Sequence, residues 1–201
     1  MATDFPKLIL VFSGKRKSGK DYITNILHKR IGEKNCALLR LSAPLKEQYA
    51  KDHNLDYNRL LDSSTYKENY RLSMIRWSDS IREKDPGYFC RLSIAQNGAK
   101  EKAVWVISDA RRKTDLDFFK KTYPEVTYLV RIFASETTRR LRGWEFTKGV
   151  DDVASECDLD DVENWDYIIS NNSDNKELEK CLSLIFDKLI QPLNLEDSCD
   201  S

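Results

Sequence analysis

The chain has 201 residues, 40% of them apolar and 33% charged, enough for one substantial domain with a heavily ionic surface and short for two. Thirty-three basic and thirty-three acidic residues cancel, which weighs against duplex nucleic acid as the main partner, and no apolar run is long enough to span a bilayer. Five widely spaced cysteines without a CxxC pair argue against a disulfide framework or zinc site and favour a reducing compartment.

The opening segment MATDFPK is too short and polar for a secretory signal and too acidic for a transit peptide, and the end CDS is no SKL-type address. A soluble, cytoplasmic protein is expected. Five stretches rich in Val, Ile, Leu or aromatic residues read as strands buried on both faces: 7–13, 36–42, 103–108, 126–133 and 165–170. After the first strand a glycine-bounded loop leads into a helix over 20–31, with Ile23, Ile26, Leu27 and Ile31 on one stripe. The span from 43 to 102 has no strand candidate. It carries helical patterns over 66–84 and over 86–96, the second opened by Pro86. A helical insertion beside the sheet is therefore expected, in the place where α/β enzymes commonly hold a second substrate.

Further along, helices are expected over 115–122, over 135–146 with Gly143 as its close, and over 176–190 with Leu178, Cys181, Leu182, Ile185 and Leu189 on one face. The stretch 151–166 carries acids and no base. It is expected either to order against a basic lid or to stay solvated, and no chemistry is assigned to it. Residues 193–201 read as a frayed acidic tail. His28 and His53 lie far apart, without ligand spacing, and read as structural. Strand and helix alternate, which predicts a parallel sheet flanked by helices. One domain over 1–192 is expected, with the insertion at about 43–102 and a lid at about 135–150.

Chemistry concentrates first in VFSGKRKSGKDYI, residues 11–23. Gly14 and Gly19 let successive amides point at one anion, the dipole of the following helix adds its field, and Lys20 reaches the β- and γ-phosphates. Because the pattern follows an apolar strand and opens an amphipathic helix, it reads as a phosphate-binding loop. The next position usually holds Ser or Thr as a magnesium ligand; here it is Asp21, which either supplies a hard oxygen to Mg2+ or only favours the helix dipole. Lys15, Arg16 and Lys17 exceed what one nucleotide needs and suit two anionic substrates meeting at the loop. Ser18 completes the cradle.

At the end of the third strand, VWVISDARR places Asp109 where P-loop proteins carry a magnesium-facing aspartate, although a helix cap is the plain alternative. Arg111 and Arg112 follow at the carboxyl end of that strand, where open α/β sheets bind ligands and where paired arginines suit a phosphate. Arg139 and Arg142, three apart, share a helical face. They either close over the transferring group as a lid or form a solvated charge run. No Ser-His-Asp or Cys-His arrangement stands out. That fits transfer to an acceptor that is already a phosphate, a dianion needing no general base.

The segments FSGKRKSGKDY, LRLSAPLKEQYA, LLDSSTYKE, MIRWSDSIREKDPGYFCR, SDARRKTDL and RGWEFTKGVDD, in this order, resemble the animal-type phosphomevalonate kinases over about residues 7–190. The Asp after the loop lysine belongs to that family's pattern. The resemblance implies a nucleoside-monophosphate-kinase-like P-loop fold. It also implies transfer of the ATP γ-phosphoryl group to (R)-5-phosphomevalonate, with Mg2+, giving 5-diphosphomevalonate and ADP for isoprenoid and sterol precursors. By position it gives Lys15, Arg16, Lys17, Lys20 and Asp21 to the ATP loop, and Arg82, Arg111 and Arg112 to the acceptor phosphate or catalysis. Arg139 and Arg142 become lid arginines, Arg142 also touching ATP. Asn171 goes to the substrate side and Asn172 to the nucleotide, although the family often has histidine at that second position. Lys46 and Lys67 are further acceptor candidates. The chain is expected to be a monomer acting on a small molecule, with neither nucleic acid nor membrane as partner. A deoxynucleoside monophosphate kinase, a nucleotide-binding switch protein and RNA binding through the basic loop stand as alternatives.

Overall fold

A computed structural model describes residues 6–61, 65–172 and 175–195. Residues 1–5 of the opening segment, 62–64 of the LLDSSTYKE segment and 196–201 of the expected tail lie outside the described residues.

The five expected strands form one sheet: β1 (Leu8–Ser13), β2 (Cys36–Leu39), β3 (Val104–Ile107), β4 (Thr127–Phe133) and β5 (Tyr167–Ser170). All are parallel, in the order β2-β3-β1-β4-β5. Alternate residues of β1 explain why no polar-apolar alternation marks the strands. Leu8, Leu10 and Phe12 enter one buried layer with Ile23 and Leu27 of α1 (Lys20–Ile31) and with Leu182 and Ile185 of the last long helix. Ile9 and Val11 enter the other layer, with Trp105, Leu116 and Phe119. Sequence order and spatial order part company at β1, which lies between β3 and β4. That puts a topological switch at its carboxyl end, where open α/β sheets form their ligand crevice.

The insertion is helical as expected. It comprises α2 (Ser42–His53), α3 (Tyr57–Leu61), α4 (Thr65–Lys84) and α5 (Tyr88–Gln96), of which α2 and α3 were not foreseen individually. It has its own small core of Tyr49, Ala50, Leu60 and Met74, with Trp77 and Tyr66 against it. This core is separate from both sheet layers, so α2–α4 stand beside the sheet as a wall, whereas α5 sends Cys90 and Ile94 into the layer of Ile9 and Val11.

Several boundaries differ from expectation: β2 ends at Leu39 instead of 42, β5 starts at Tyr167 instead of 165, and α5 starts at Tyr88 instead of 86. The sixth helix, α6 (Lys113–Thr122), starts two residues early because Asp115, its third residue, accepts the backbone N–H of Arg112 at 3.0 Å and caps the first turn. The segment expected to form a lid holds the short α7 (Glu136–Leu141), capped by the Ser135 hydroxyl, which accepts from the Thr138 N–H, and ended at Gly143 with φ 75°. Inside the acidic stretch, residues Ala154–Cys157 make a single turn, α8. The final helix, α9 (Asn175–Ile185), continues as π and 3-10 turns to Leu193, and Leu193 and Leu195 still pack on the core. His28 and His53 sit beside the carbonyls of Cys36 and Tyr49, as structural residues do.

Candidate active site

Four strand ends converge on one crevice. The loop after β1 is held in shape by its glycines. A Cβ on Gly14 would stand 2.6 Å from the Ser18 hydroxyl and 2.9 Å from the Ile132 carbonyl. Gly19 has φ 87°, and a Cβ there would lie 2.2 Å from the Asn171 side-chain nitrogen. Ile23 donates its N–H to the Gly19 carbonyl, so α1 begins at the loop's end and aims its amide dipoles into the crevice. Ser18 Oγ is buried and makes no hydrogen bond among the described residues, a polar atom of the cradle without a partner there. The Lys20 ammonium, 6% exposed, pairs with Asp21 at 2.8 Å. Burial alone would push the Asp21 carboxyl up, but the Lys20 charge and hydrogen bond outweigh it and hold it below its ordinary value. Asp21 stays ionised and reaches solvent, as a carboxylate meeting a hydrated cation must.

Arg139 and Arg142 share one face, as their spacing predicts. Arg139 Nε donates to the Arg16 carbonyl at 2.8 Å, its guanidinium 3.9 Å from the centre of the Trp144 ring. Arg142 donates to the Ser18 carbonyl at 3.1 Å and to the Asn171 carbonyl at 2.9 Å. Asn171, at the end of β5, donates its amide to the same Ser18 carbonyl at 2.8 Å. Arg139, Arg142 and Asn171 thus lie against the loop's carbonyl side. Asn172 is placed differently: its side-chain oxygen accepts the N–H of Ser135 at 2.8 Å and holds the start of α7.

A cavity of about 320 Å³ opens between the insertion and the sheet. Lys46, Lys67, Arg82, Arg111, Arg112 and Asp109, all expected from the sequence, line it with Arg16. Its wall also holds Arg71, Met74, Ile75 and Ser78, which the sequence reading missed. On α4 the spacing 67, 71, 75, 78, 82 is that of one helical stripe, and this signal was present in the sequence. A second cavity of about 300 Å³ is formed by residues 14–22 and Arg111. Arg16 and Arg111 line both cavities.

Asp115 organises this arginine set. It is 1% exposed and accepts the backbone N–H groups of Arg111 and Arg112, each at 3.0 Å, and faces the Arg82 guanidinium at 3.5 Å. Burial pushes its carboxyl upward, against the pull of Arg82 and the two amides. Arg82 lies 4.7 Å from the Phe89 ring centre, and its buried Nε makes no hydrogen bond among the described residues. Burial lowers the Arg111 guanidinium from its ordinary value, partly offset by Asp109 and Asp21. Lys46 is brought down to about 8, by burial first and then by repulsion from Lys67.

Asp109 adopts the cap alternative. Its oxygens accept the N–H of Leu41 at 2.6 Å and of Ser42 at 3.1 Å, fastening the start of α2 to the end of β3. The acidic stretch is ordered, and against the phosphate loop more than the lid. Asp151 pairs with Arg16 at 2.8 Å, Asp160 with Lys15 and with Arg131 at 3.2 Å, and Glu156 with Arg111. Among the described residues no group of three or more His, Cys, Asp or Glu side chains is placed to hold a metal on its own. A cation here would be shared with bound phosphate, for which Asp21 is the better placed carboxylate, since the Asp109 oxygens already serve two amides.

A parallel sheet with a glycine-lysine loop at its switch point, and a basic cavity opening onto that loop, defines a P-loop phosphotransferase. The sequence model of the phosphomevalonate kinase family matches residues 12–125. A phosphomevalonate kinase of Drosophila melanogaster is 41% identical over 184 residues, covering 90% of this chain and 96% of its own. This chain therefore belongs to the phosphomevalonate kinase family. It is an ATP-dependent kinase acting on a small molecule, which removes the switch-protein alternative. Among solved structures, a gluconokinase from Sinorhizobium meliloti 1021 aligns at 14% identity over 95% of this chain and 97% of its own, with a TM-score of 0.49. TT1252 from Thermus thermophilus aligns at 14% identity over 92% and 99%, with a TM-score of 0.45. No helix among the described residues is long and apolar enough to cross a membrane.

Proposed function

We propose that this enzyme moves the γ-phosphoryl group of ATP onto the phosphate of (R)-5-phosphomevalonate, releasing 5-diphosphomevalonate and ADP in the mevalonate pathway. The observation that carries this reading is the lining of the larger cavity. Seven cations (Arg16, Lys46, Lys67, Arg71, Arg82, Arg111, Arg112) share its wall with the apolar Leu41, Leu45, Met74 and Ile75, and no aromatic ring is among the described residues that line it. That suits a small acyclic molecule with an anion at each end. A nucleoside monophosphate, the competing acceptor, would leave its base without a ring to stack on.

Lys20 and the loop amides hold the nucleotide's phosphates, while Arg82, Arg111 and Arg112 receive the acceptor phosphate. Arg139 and Arg142 close from the lid side. Because Arg16 and Arg111 face both cavities, the two anions meet between them, and catalysis reduces to alignment and charge neutralisation. Mg2+, which the loop geometry and Asp21 fit, would neutralise charge on the nucleotide's phosphates. The buried thiols of Cys36 and Cys90 are compatible with a cytosolic enzyme.

Coupled ADP release with phosphomevalonate against a panel of nucleoside monophosphates tests the reading. Turnover with phosphomevalonate is expected to exceed that with any nucleotide acceptor by several orders of magnitude; preference for a nucleoside monophosphate would overturn it.

A further inference from the structure

The acids at 151–160 lie where phosphate is needed. The Glu156 side chain is 6% exposed. One of its oxygens accepts the backbone N–H of Arg16 in the phosphate loop at 3.3 Å, and the other pairs with the Arg111 guanidinium. These are the two residues that line both cavities, so the carboxylate stands at the junction between nucleotide and acceptor. Asp151 and Asp160 flank it on the side chains of Arg16 and Lys15. Lys15 also donates to Cys157 Sγ at 3.8 Å, while Cys157 Sγ donates to the Asp151 carbonyl at 3.2 Å, so the strap is tied to the loop along its length.

An amide already donating to a carboxylate is not available to a phosphate, and a fixed anion repels an incoming one. We propose that residues 151–160 form an internal anion that occupies the phosphate cradle of the ligand-free enzyme, with Glu156 in the phosphoryl seat, and that ATP binds by exchange with it. This rests on the reading of residues 14–21 as the nucleotide cradle. When only a fraction of molecules has the seat open, the apparent Kd is the intrinsic value divided by that fraction. If about a tenth to a third are open, removing the occupant's charge tightens binding about three- to tenfold.

Glu156→Gln keeps the shape and removes the charge. Asp117→Asn makes the same change of net charge at an exposed site, where, among the described residues, Asp117 pairs only with Lys121 on α6. By calorimetry, E156Q is expected to bind ATP and inorganic tripolyphosphate about three- to tenfold more tightly than wild type, and D117N less than twofold. Unchanged or weaker binding by E156Q, or an equal gain in D117N, would overturn the inference. A second measurement needs no variant: in wild type, tripolyphosphate is expected to speed amide hydrogen exchange across 151–160, and slowed or unchanged exchange would also overturn it. If wild type bound neither ATP nor tripolyphosphate, the cradle reading itself would fall. If it binds both but the strap stays put, only the exchange is lost.

Discussion

Replacing Lys46 by Met should make the ligand-free protein more stable and the enzyme worse. Among the described residues the Lys46 ammonium has neither a hydrogen bond nor an ion pair, and it faces Lys67, Arg71 and Arg111, with Asp109 the one attractive charge. Its pKa of about 8, against 10.5 when unperturbed, corresponds to about 3 kcal/mol against the charged form at about 1.4 kcal/mol per pKa unit. Partial exposure and solvent screening reduce this to about 1–2 kcal/mol. The folded value lies below the unfolded one, so the folded state holds fewer protons between about pH 8 and 10.5. Stability from this residue therefore rises with pH across that window, and the full penalty applies below about 8. K46M is expected to gain about 1–2 kcal/mol in urea unfolding at pH 7, and to lose most of that advantage by about pH 10.5. In steady-state kinetics the KM for the acceptor should rise about tenfold in the variant, worth about 1.4 kcal/mol. In wild type that KM should climb above about pH 8, a dependence that K46M flattens. A variant no more stable at pH 7, or a gain identical at pH 7 and above pH 10.5, would refute the account of Lys46 as a charge held for the acceptor.

Gly19→Ala should cost about 1–2 kcal/mol from its left-handed backbone alone, and more from the Cβ set 2.2 Å from the Asn171 amide nitrogen. Titration with ATP is expected to show binding lost along with stability, and normal affinity would remove Gly19 from the cradle. Asp109→Ala should destabilise by about 2–4 kcal/mol, since two backbone N–H groups lose their acceptor, whereas Asp109→Asn keeps one acceptor and should cost about half as much. Thermal unfolding ranks the two, and equal losses would point to the charge instead of the cap. Lys20→Met should lower kcat about 10²–10³-fold, the scale of one lost transition-state donor, with an unchanged melting temperature; near-normal turnover would overturn the loop assignment.

The phosphate loop was legible because everything that defines it is local: an apolar strand, two glycines, a lysine and an amphipathic helix within 20 residues or so of one another. The sheet was legible for a related reason, since β1 buries both its faces and so leaves an unbroken apolar run. What lay across the fold was not legible. Asp109 reads equally well as a cation ligand or a cap, and its partners, the amides of Leu41 and Ser42, are brought to it only by the pairing of β2 with β3. Asp151 and Asp160 meet Arg16 and Lys15 more than 130 residues away in the chain, a match no window of sequence contains. Arg71 is the intermediate case. Its place on the stripe of Lys67, Ile75, Ser78 and Arg82 is a matter of helical spacing and was there to be read.

The distribution of these pairs has a consequence for how the two substrates arrive. At the phosphate loop, Lys15, Arg16 and Lys20 each already have a carboxylate partner. ATP therefore replaces one set of anions with another, and the local charge changes little. In the acceptor cavity Arg71, Arg82, Arg111 and Arg112 also have carboxylate partners, but Lys46 has none among the described residues, and its pKa is lowered by burial first and then by like charge. The acceptor therefore neutralises, at Lys46, a cation without an internal counter-charge. Salt screens a net attraction far more than it screens an exchange between two anions. Raising ionic strength should therefore weaken acceptor binding more than ATP binding, although ATP carries the larger charge. An ATP Kd that rises more steeply with salt than the acceptor's would mean that the loop's cations are in effect unpaired in solution.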